Sequence, residues 1–336
     1  MKSSHRSILT VFALLSFFIF AAAVSANAAE FRIRVANCVA ADHSWGRASE
    51  FFKQEVEKAS NGRISVEVHH AGALGKVRET MEMVQMGTLE TALGGVANYQ
   101  RTVPELGITV LPYLWKDLKT QLAVLQGPLG EELNQRMLKA GIHNLGFWDN
   151  GFRNISNSKR PIQTIDDLKG IKIRTLPNPV HTAFFKACGA APTPMDWVEL
   201  FEALRSGVVD GQENPPAMTY TSKMYEVQKF YSLTGHFNEV GAFIMSNIFY
   251  KKLPDDLKKV VDDAAKKTVA WQWVENEKDN QKYLAEMDKA GMKVNTLPEE
   301  ELAKFRKIAH DLYPEAVKDC GKDGKELLEK FVKANQ

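Results

Sequence analysis

Two arginines and one carboxylate carry the most specific chemistry in the sequence. Arg174 closes the alternating run Ile171-Lys172-Ile173-Arg174, and Arg153 follows Gly151-Phe152. A guanidinium at the carboxyl end of a strand can grip a carboxylate with two parallel hydrogen bonds. The plainer alternative for either arginine is a surface ion pair. Covalent chemistry finds little support: there is no G-x-S-x-G, no H-E-x-x-H and no G-x-x-x-x-G-K-S/T. His69-His70 suggests a metal site, but adjacent strand residues point to opposite faces, and no Cys or acid completes a set at ligand spacing. His181 and His236 stand singly. Gly94-Gly95 lacks the G-x-G-x-x-G of a dinucleotide site. Glu213 is the one nearby acid that could serve as a base. No metal and no cofactor are expected, and the residue set suits a binder better than an enzyme.

Elements must place these side chains. Phe31-Arg32-Ile33-Arg34-Val35 alternates apolar and polar and predicts a strand. Ala48, Phe51, Phe52, Val56 and Ala59 fall at helical spacing, with Asn61-Gly62 able to end the helix. Ile64, Val66 and Val68 alternate again; Val77, Met81 and Val84 predict a second helix closed by Gly87; Leu89 to Leu93 predicts a short strand. This β-α-β-α-β order implies a parallel sheet flanked by helices. A second run of the same kind starts near residue 151. It has a strand around Ile155, a capping box at Thr164-Ile165-Asp166-Asp167, the strand ending at Arg174, and a helix through Val180, Phe184 and Ala187 closed by Gly189. A helix through Leu200 and Leu204, closed by Gly207, and a short strand Val208-Val209-Asp210 complete it. Two α/β lobes built alike leave a crevice between them, where strand ends face a ligand. From Leu257 to about Met287 an amphipathic pattern without Pro or Gly predicts one long helix crossing both lobes, or two helices kinked near Trp271 to Asn276. Leu302, Phe305, Ile308 and Leu312 predict a further helix. The lobes are expected at 29–150 with about 240–279, and at 151–239 with about 280–336.

The chain of 336 residues has 43 Lys plus Arg against 41 Asp plus Glu. Lys2 and Arg6 lie in the first 28 residues, which carry no acid, so the remainder balances at 41 of each. That balance gives no electrostatic case for nucleic acid. Residues 1–28 read as a signal peptide. Lys2, His5 and Arg6 form the basic end, Ile8 to Phe20 the apolar run, and Ala26-Asn27-Ala28 the cleavage motif, with the cut after Ala28. The apolar run is shorter than the roughly 20 residues a spanning helix needs. Export permits one disulfide among Cys38, Cys188 and Cys320, but spacing does not choose a pair; the reading preferred is that Cys38 and Cys188 are small buried hydrophobes in a strand and a helix.

The segment from residue 151 onward is more specific. It reads Gly151-Phe152-Arg153-Asn154-Ile155-Ser156-Asn157-Ser158-Lys159-Arg160-Pro161-Ile162, then Asp167-Leu168-Lys169-Gly170 before the Arg174 strand, then Gly189-Ala190-Ala191-Pro192-Thr193-Pro194-Met195 and Gly207-Val208-Val209-Asp210-Gly211-Gln212-Glu213-Asn214-Pro215. With Asn61-Gly62-Arg63-Ile64, Leu74-Gly75, Leu111-Pro112-Tyr113 and Tyr225-Glu226-Val227-Gln228-Lys229, this order resembles the extracytoplasmic solute-binding proteins of TRAP transporters, the family of the C4-dicarboxylate receptors. The resemblance covers essentially the whole chain after the signal.

It implies a two-lobed periplasmic-binding-protein-like α/β fold (type II-like) that closes on a small organic acid and delivers it to TRAP permease membrane subunits. Arg174 matches the arginine that salt-bridges the carboxylate, and Arg153 a second one that assists. Asn214, beside Glu213, matches a polar contact; Trp197 lies where members place a ring; Asn37 and Asn98 match first-lobe cleft positions. Asn98 stands where sialic-acid-binding members carry another arginine, and Gly94-Gly95 replaces their acidic residue, so a sugar acid of that kind is not expected. Instead Trp45, Tyr99, Trp148, Trp197 and Phe237 gather as rings of a pocket or as core. The ligand expected is a monocarboxylate with an apolar or aromatic body, such as a 2-oxo or 2-hydroxy acid. A receptor for a membrane sensor, and a secreted enzyme using Glu213 on the same scaffold, stay open as alternatives.

Overall fold

A computed structural model describes residues 29–335; the signal-peptide reading of residues 1–28 lies outside the described residues. Strand β1 (Phe31–Asn37), helix α1 (Ser44–Ala59), β2 (Ile64–His69), α2 (Val77–Met86) and β3 (Thr91–Gly95) follow the predicted order. β1 pairs in parallel with β2 and β3, with Val35 opposite both Val68 and Thr91. The α1 start is held by the His43 ring, whose Nδ1 accepts from the Trp45 amide at 3.1 Å. Its end is turned by Asn61 and Gly62, both at positive φ.

The second half repeats this plan. It contains β4 (Ile142–Asn157), β5 (Lys172–Thr175), α3 (Pro179–Ala187), β6 (Ala191–Pro194) and β7 (Gly211–Asn214). Thr164 and Asp167 form the expected capping box. Asn178 caps α3 through the Val180 amide, and Pro179 supplies a preset first turn. Gly87 and Gly207 both take φ 75°, a left-handed turn an L side chain resists, and a strand starts four residues after each. The strand expected at Val208–Asp210 is therefore displaced: those residues form the turn, and the strand is Gly211–Asn214.

The two halves share one sheet, in the order β2-β1-β3-β8-β4-β7-β5-β6, where β8 is Phe230–Ser246 and β9 (Lys293–Thr296) adds alongside β8. β4 and β8 are long antiparallel strands that run through both lobes. Their register shifts between Asp149 and Gly151 and again between Arg153 and Ile155. Such bulges bend a strand and re-aim its side chains.

Helix α4 (Asp255–Lys289) is unbroken over 35 residues, about 52 Å at 1.5 Å per residue, one helix rather than two. It packs on α1, on β4 and on the short helix Pro216–Thr221. Its buried stripe begins apolar with Leu257, Val261 and Ala264 and becomes polar at Gln272 and Asn276. These polar groups meet the bulge: Gln272 Nε2 donates to Asp149 O at 2.8 Å, and Asn276 Nδ2 to Asp149 Oδ2 at 2.7 Å. Helix α5 (Glu299–Ala316) packs on α3, while α6 (Gly324–Ala334) packs against Pro104–Val110. One apolar core runs through both halves, from Ile33 and Phe52 to Phe184 and Phe305.

Cys38, Cys188 and Cys320 are unpaired thiols. Among the described residues no helix is long and apolar enough to cross a membrane.

Candidate functional site

A cavity of about 50 Å³ lies between the carboxyl ends of β3 and β5 and the bulged stretch of β4 and β8. About 10–15 Å³ on this scale admits one water, so it suits a molecule of few atoms. Of the residues expected at a site, Arg174, Arg153, Asn214, Trp197, Asn98 and Trp45 line it. Cys38, Val77, Gly95, Asn150, Leu176, Asp196, Met218 and Glu239 line it too.

Arg174 is the next-to-last residue of β5 and is 2% exposed. Its Nε and Nη2 both donate to Met195 O, at 3.0 and 2.8 Å. Among the described residues no carboxylate lies within ion-pair distance of it. Burial, and secondarily the like charge of Arg153, pull it down to about 10, so at neutral pH it remains a cation. It is a desolvated charge facing a cavity.

Arg153 is equally buried and opposite in character. Its Nε and Nη2 fork onto Glu213 Oε2 and Oε1 at 2.5 and 2.7 Å, and its Nη1 meets Glu239 Oε2 at 3.0 Å. Burial lowers such a group, but the two carboxylates outweigh it and raise Arg153 above its usual range. Burial likewise would raise Glu213; Arg153, His181 and His236 outweigh that and hold it well below the carboxylate range. Glu213 is thus an ionised counter-charge behind the cavity wall, a poor base. His236 Nε2 lies 3.3 Å from Glu213 Oε2, and its Nδ1 2.7 Å from Thr234 Oγ1. Burial lowers His236, leaving it neutral.

Glu239, which the sequence reading did not single out, lies on β8 opposite Gly151. It is 1% exposed, and its Oε1 accepts from the Ala97 amide at 3.2 Å. Its position explains Gly95: a Cβ there would stand 2.4 Å from Glu239 Oε1. The available signal was weak: Glu239 sits where the polar first half of β8 gives way to the apolar run Val240 to Met245.

The polar remainder faces the cavity from three sides. Asn98 Nδ2 donates to Gly95 O at 3.2 Å. Asn214 Nδ2 donates to Gln212 Oε1 at 2.5 Å. Asn150 is buried, and its Oδ1 has no hydrogen-bond partner. The Cys38 thiol is pushed up to about 12 by burial and stays neutral.

Of the five rings expected at the pocket, two reach it. Trp45 presents a face while its Nε1 donates to Asp149 O at 2.7 Å; Trp197 stands half-buried at the rim. Trp148 and Phe237 are core, against Phe243 and the His181 ring respectively, and Tyr99 is buried as well. Asn37 is also corrected. It is 1% exposed and spends its amide on Trp45 O and Ser49 Oγ and its oxygen on the Val39 amide, which ties α1 to β1. Strand alternation is the reason: a residue beside a cleft position points away from it. His69 and His70 are separate, His70 facing Glu50 at 3.1 Å. Among the described residues no three His, Cys, Asp or Glu side chains are placed to hold a metal ion.

The halves meet across the cavity. Lys76 Nζ pairs with Asp196 Oδ2 at 3.1 Å and Glu199 Oε1 at 2.7 Å. On another side Asn178 Nδ2 donates to Gln100 Oε1 at 2.7 Å and Ala97 O at 3.0 Å.

Residues 35–319 match the family described as bacterial extracellular solute-binding protein, family 7. A solute-binding protein of Verminephrobacter eiseniae is 39% identical over 80% of this chain and 80% of its own length. The crystal structure of a sugar acid binding protein from Advenella mimigardefordensis with galactonate aligns with TM-score 0.88 and 34% identity, over 90% of this chain and 97% of that one. A TRAP periplasmic solute binding protein from Sulfurospirillum deleyianum with bound succinate aligns with TM-score 0.86 and 33% identity, over 92% and 100%.

Proposed function

The chain belongs to the bacterial extracellular solute-binding proteins of family 7, a TRAP solute-binding protein that binds an organic acid, and from that premise we propose that its ligand is a small monocarboxylate with an apolar, hydroxy- or oxo-bearing body. The observation that carries this reading is Arg174, a buried cation in the cavity with no carboxylate of its own. A ligand carboxylate would supply the missing partner in a site where desolvation is already met by folding. Trp45, Trp197, Val77, Leu176 and Met218 offer an apolar wall, and the free Oδ1 of Asn150 offers an acceptor to a ligand hydroxyl. The aromatic ligand body is given up, because three of the five rings are core and the cavity is small.

Binding between micromolar and nanomolar needs roughly −8 to −12 kcal/mol. Charge-assisted hydrogen bonds at about 1.5–3 kcal/mol each leave a remainder for apolar burial and water exclusion. Closure supplies both. The hinge in this reading is the bulge where Asp149 faces Val240 and Gly151 faces Glu239, which supports lobe boundaries at 150/151 and 239/240. The packing of α6 on Pro104–Val110 favours grouping residues 317–335 with the first lobe. The chain is exported through residues 1–28 and hands the acid to a TRAP permease.

Native mass spectrometry for a co-purified acid, followed by calorimetry with 2-hydroxyisovalerate, 2-oxoisovalerate and succinate, tests the proposal. A branched monocarboxylate bound at micromolar affinity or better is expected. Binding of succinate alone would contradict it.

A further inference from the structure

We infer that Glu239 sets the charge selectivity of the cavity: its carboxylate, held on Arg153 and facing the ligand space, repels a second carboxylate on the ligand, so that the receptor rejects dianions of the right size. The inference rests on the monocarboxylate reading and names the residue that enforces it.

The charges around the cavity decide the matter. Arg174 is the one charged side chain lining it that lacks an opposite partner among the described residues. Asp196, also in the lining, is met by Lys76 at 3.1 Å. Arg153 is shared between Glu213 and Glu239, one cation against two anions, so that cluster carries a net negative charge. His236 and His181 both stand at Glu213, 3.3 and 3.7 Å away, and neither pairs with Glu239 among the described residues. A first ligand carboxylate neutralises Arg174. A second one, at the other end of a small ligand, finds no free cation and meets the surplus anion.

Glu239 is that surplus anion. It lines the cavity, whereas Glu213 sits behind Arg153 with no surface on the cavity. Glu239 is also built in. The Ala97 amide donates to its Oε1, Arg153 holds its Oε2 at 3.0 Å, and the absence of a Cβ at Gly95 makes room for it. Rejection by a placed like charge is a way to gain specificity without added contact to the preferred ligand.

Succinate and succinamate separate charge from shape, since an amide replaces one carboxylate with nearly the same outline. Calorimetry on the wild-type protein is expected to show succinamate bound at least tenfold more tightly than succinate. In Glu239→Gln the gap is expected to close to within about threefold, chiefly because succinate gains affinity. Circular dichroism establishes that the variant is folded, and the wild-type comparison stands if it is not. A wild-type protein without preference for succinamate overturns the inference, as does a folded Glu239→Gln that keeps the wild-type gap. If 2-hydroxyisovalerate still binds the wild type in that case, only the role of Glu239 fails. If no monocarboxylate binds, the functional reading fails with it.

Discussion

The end of β5 and the crossing of β4 with β8 each hold a buried arginine, shielded to the same 2%, and treat it in opposite ways. At the crossing, Arg153 is fully compensated by Glu213 and Glu239, and the surroundings are polar, closely bonded and locked to α4. At the end of β5, Arg174 bonds one main-chain carbonyl and faces space. A buried charge is expensive unless paired. A partner from the same chain makes it part of the fold, and a withheld partner leaves it open to one from outside. The crossing is therefore expected to govern stability and the end of β5 to govern affinity.

The largest expected effect is at the crossing. Arg153→Met leaves two buried carboxylates without their arginine and is expected to cost about 3–5 kcal/mol of stability, read by urea unfolding. A loss below about 1 kcal/mol would mean that Arg153 behaves as a surface pair and would erase the contrast.

Asp149 sharpens the same side. Burial pushes its carboxyl up to about 7, offset in part by Asn276. Between the unfolded value near 4 and about 7 the folded protein holds a proton that the unfolded chain has released. Stability then falls as pH rises through this window, at up to about 1.4 kcal/mol per unit. Glu213, lowered in the folded state, works in the opposite sense. Its contribution is complete above the ordinary carboxylate range and is lost only as pH falls below it. Asp149→Asn is expected to flatten the decline between pH 4.5 and 7; an unchanged slope in chemical denaturation at several pH values would assign it elsewhere.

The smallest effect is at the rim. The Lys76 pairs with Asp196 and Glu199 are solvent-exposed and screened. Lys76→Ala is expected to speed ligand release by no more than about threefold, with the difference vanishing at high salt. Stopped-flow release at two ionic strengths checks this. A large, salt-independent change would make the rim a principal determinant of affinity.

Much of this molecule is legible from residue pattern, for identifiable reasons. β1, β2 and α4 carry periodicities that burial then follows. Arg174 stands out as a cation closing an alternating run, but the run alone leaves a surface ion pair open; the family resemblance gives it the carboxylate role, and the structure places it in the cavity lining. The long strands were not legible, because bulges at Asn150 and near Arg153 break the alternation that marks a strand. β7 was misplaced by three residues because its buried sequence, Gly211-Gln212-Glu213-Asn214, is polar and looks less like a strand than the Val208-Val209 turn before it. The rings were over-assigned to the pocket because type alone does not distinguish Trp45, which reaches the cavity, from Trp148, which packs on Phe243. Glu239 depends on pairing across β4, a relation distant in sequence.

The central claim is that Arg174 is a cation kept for a carboxylate. Isothermal titration of wild type and Arg174→Ala with the acid identified by mass spectrometry, alongside their thermal melts, tests it most directly. Affinity is expected to fall at least 100-fold, about 2.7 kcal/mol, while the melting temperature of the unliganded protein holds or rises. An unchanged affinity, or a loss of binding that only tracks a collapse of the fold, would contradict the account.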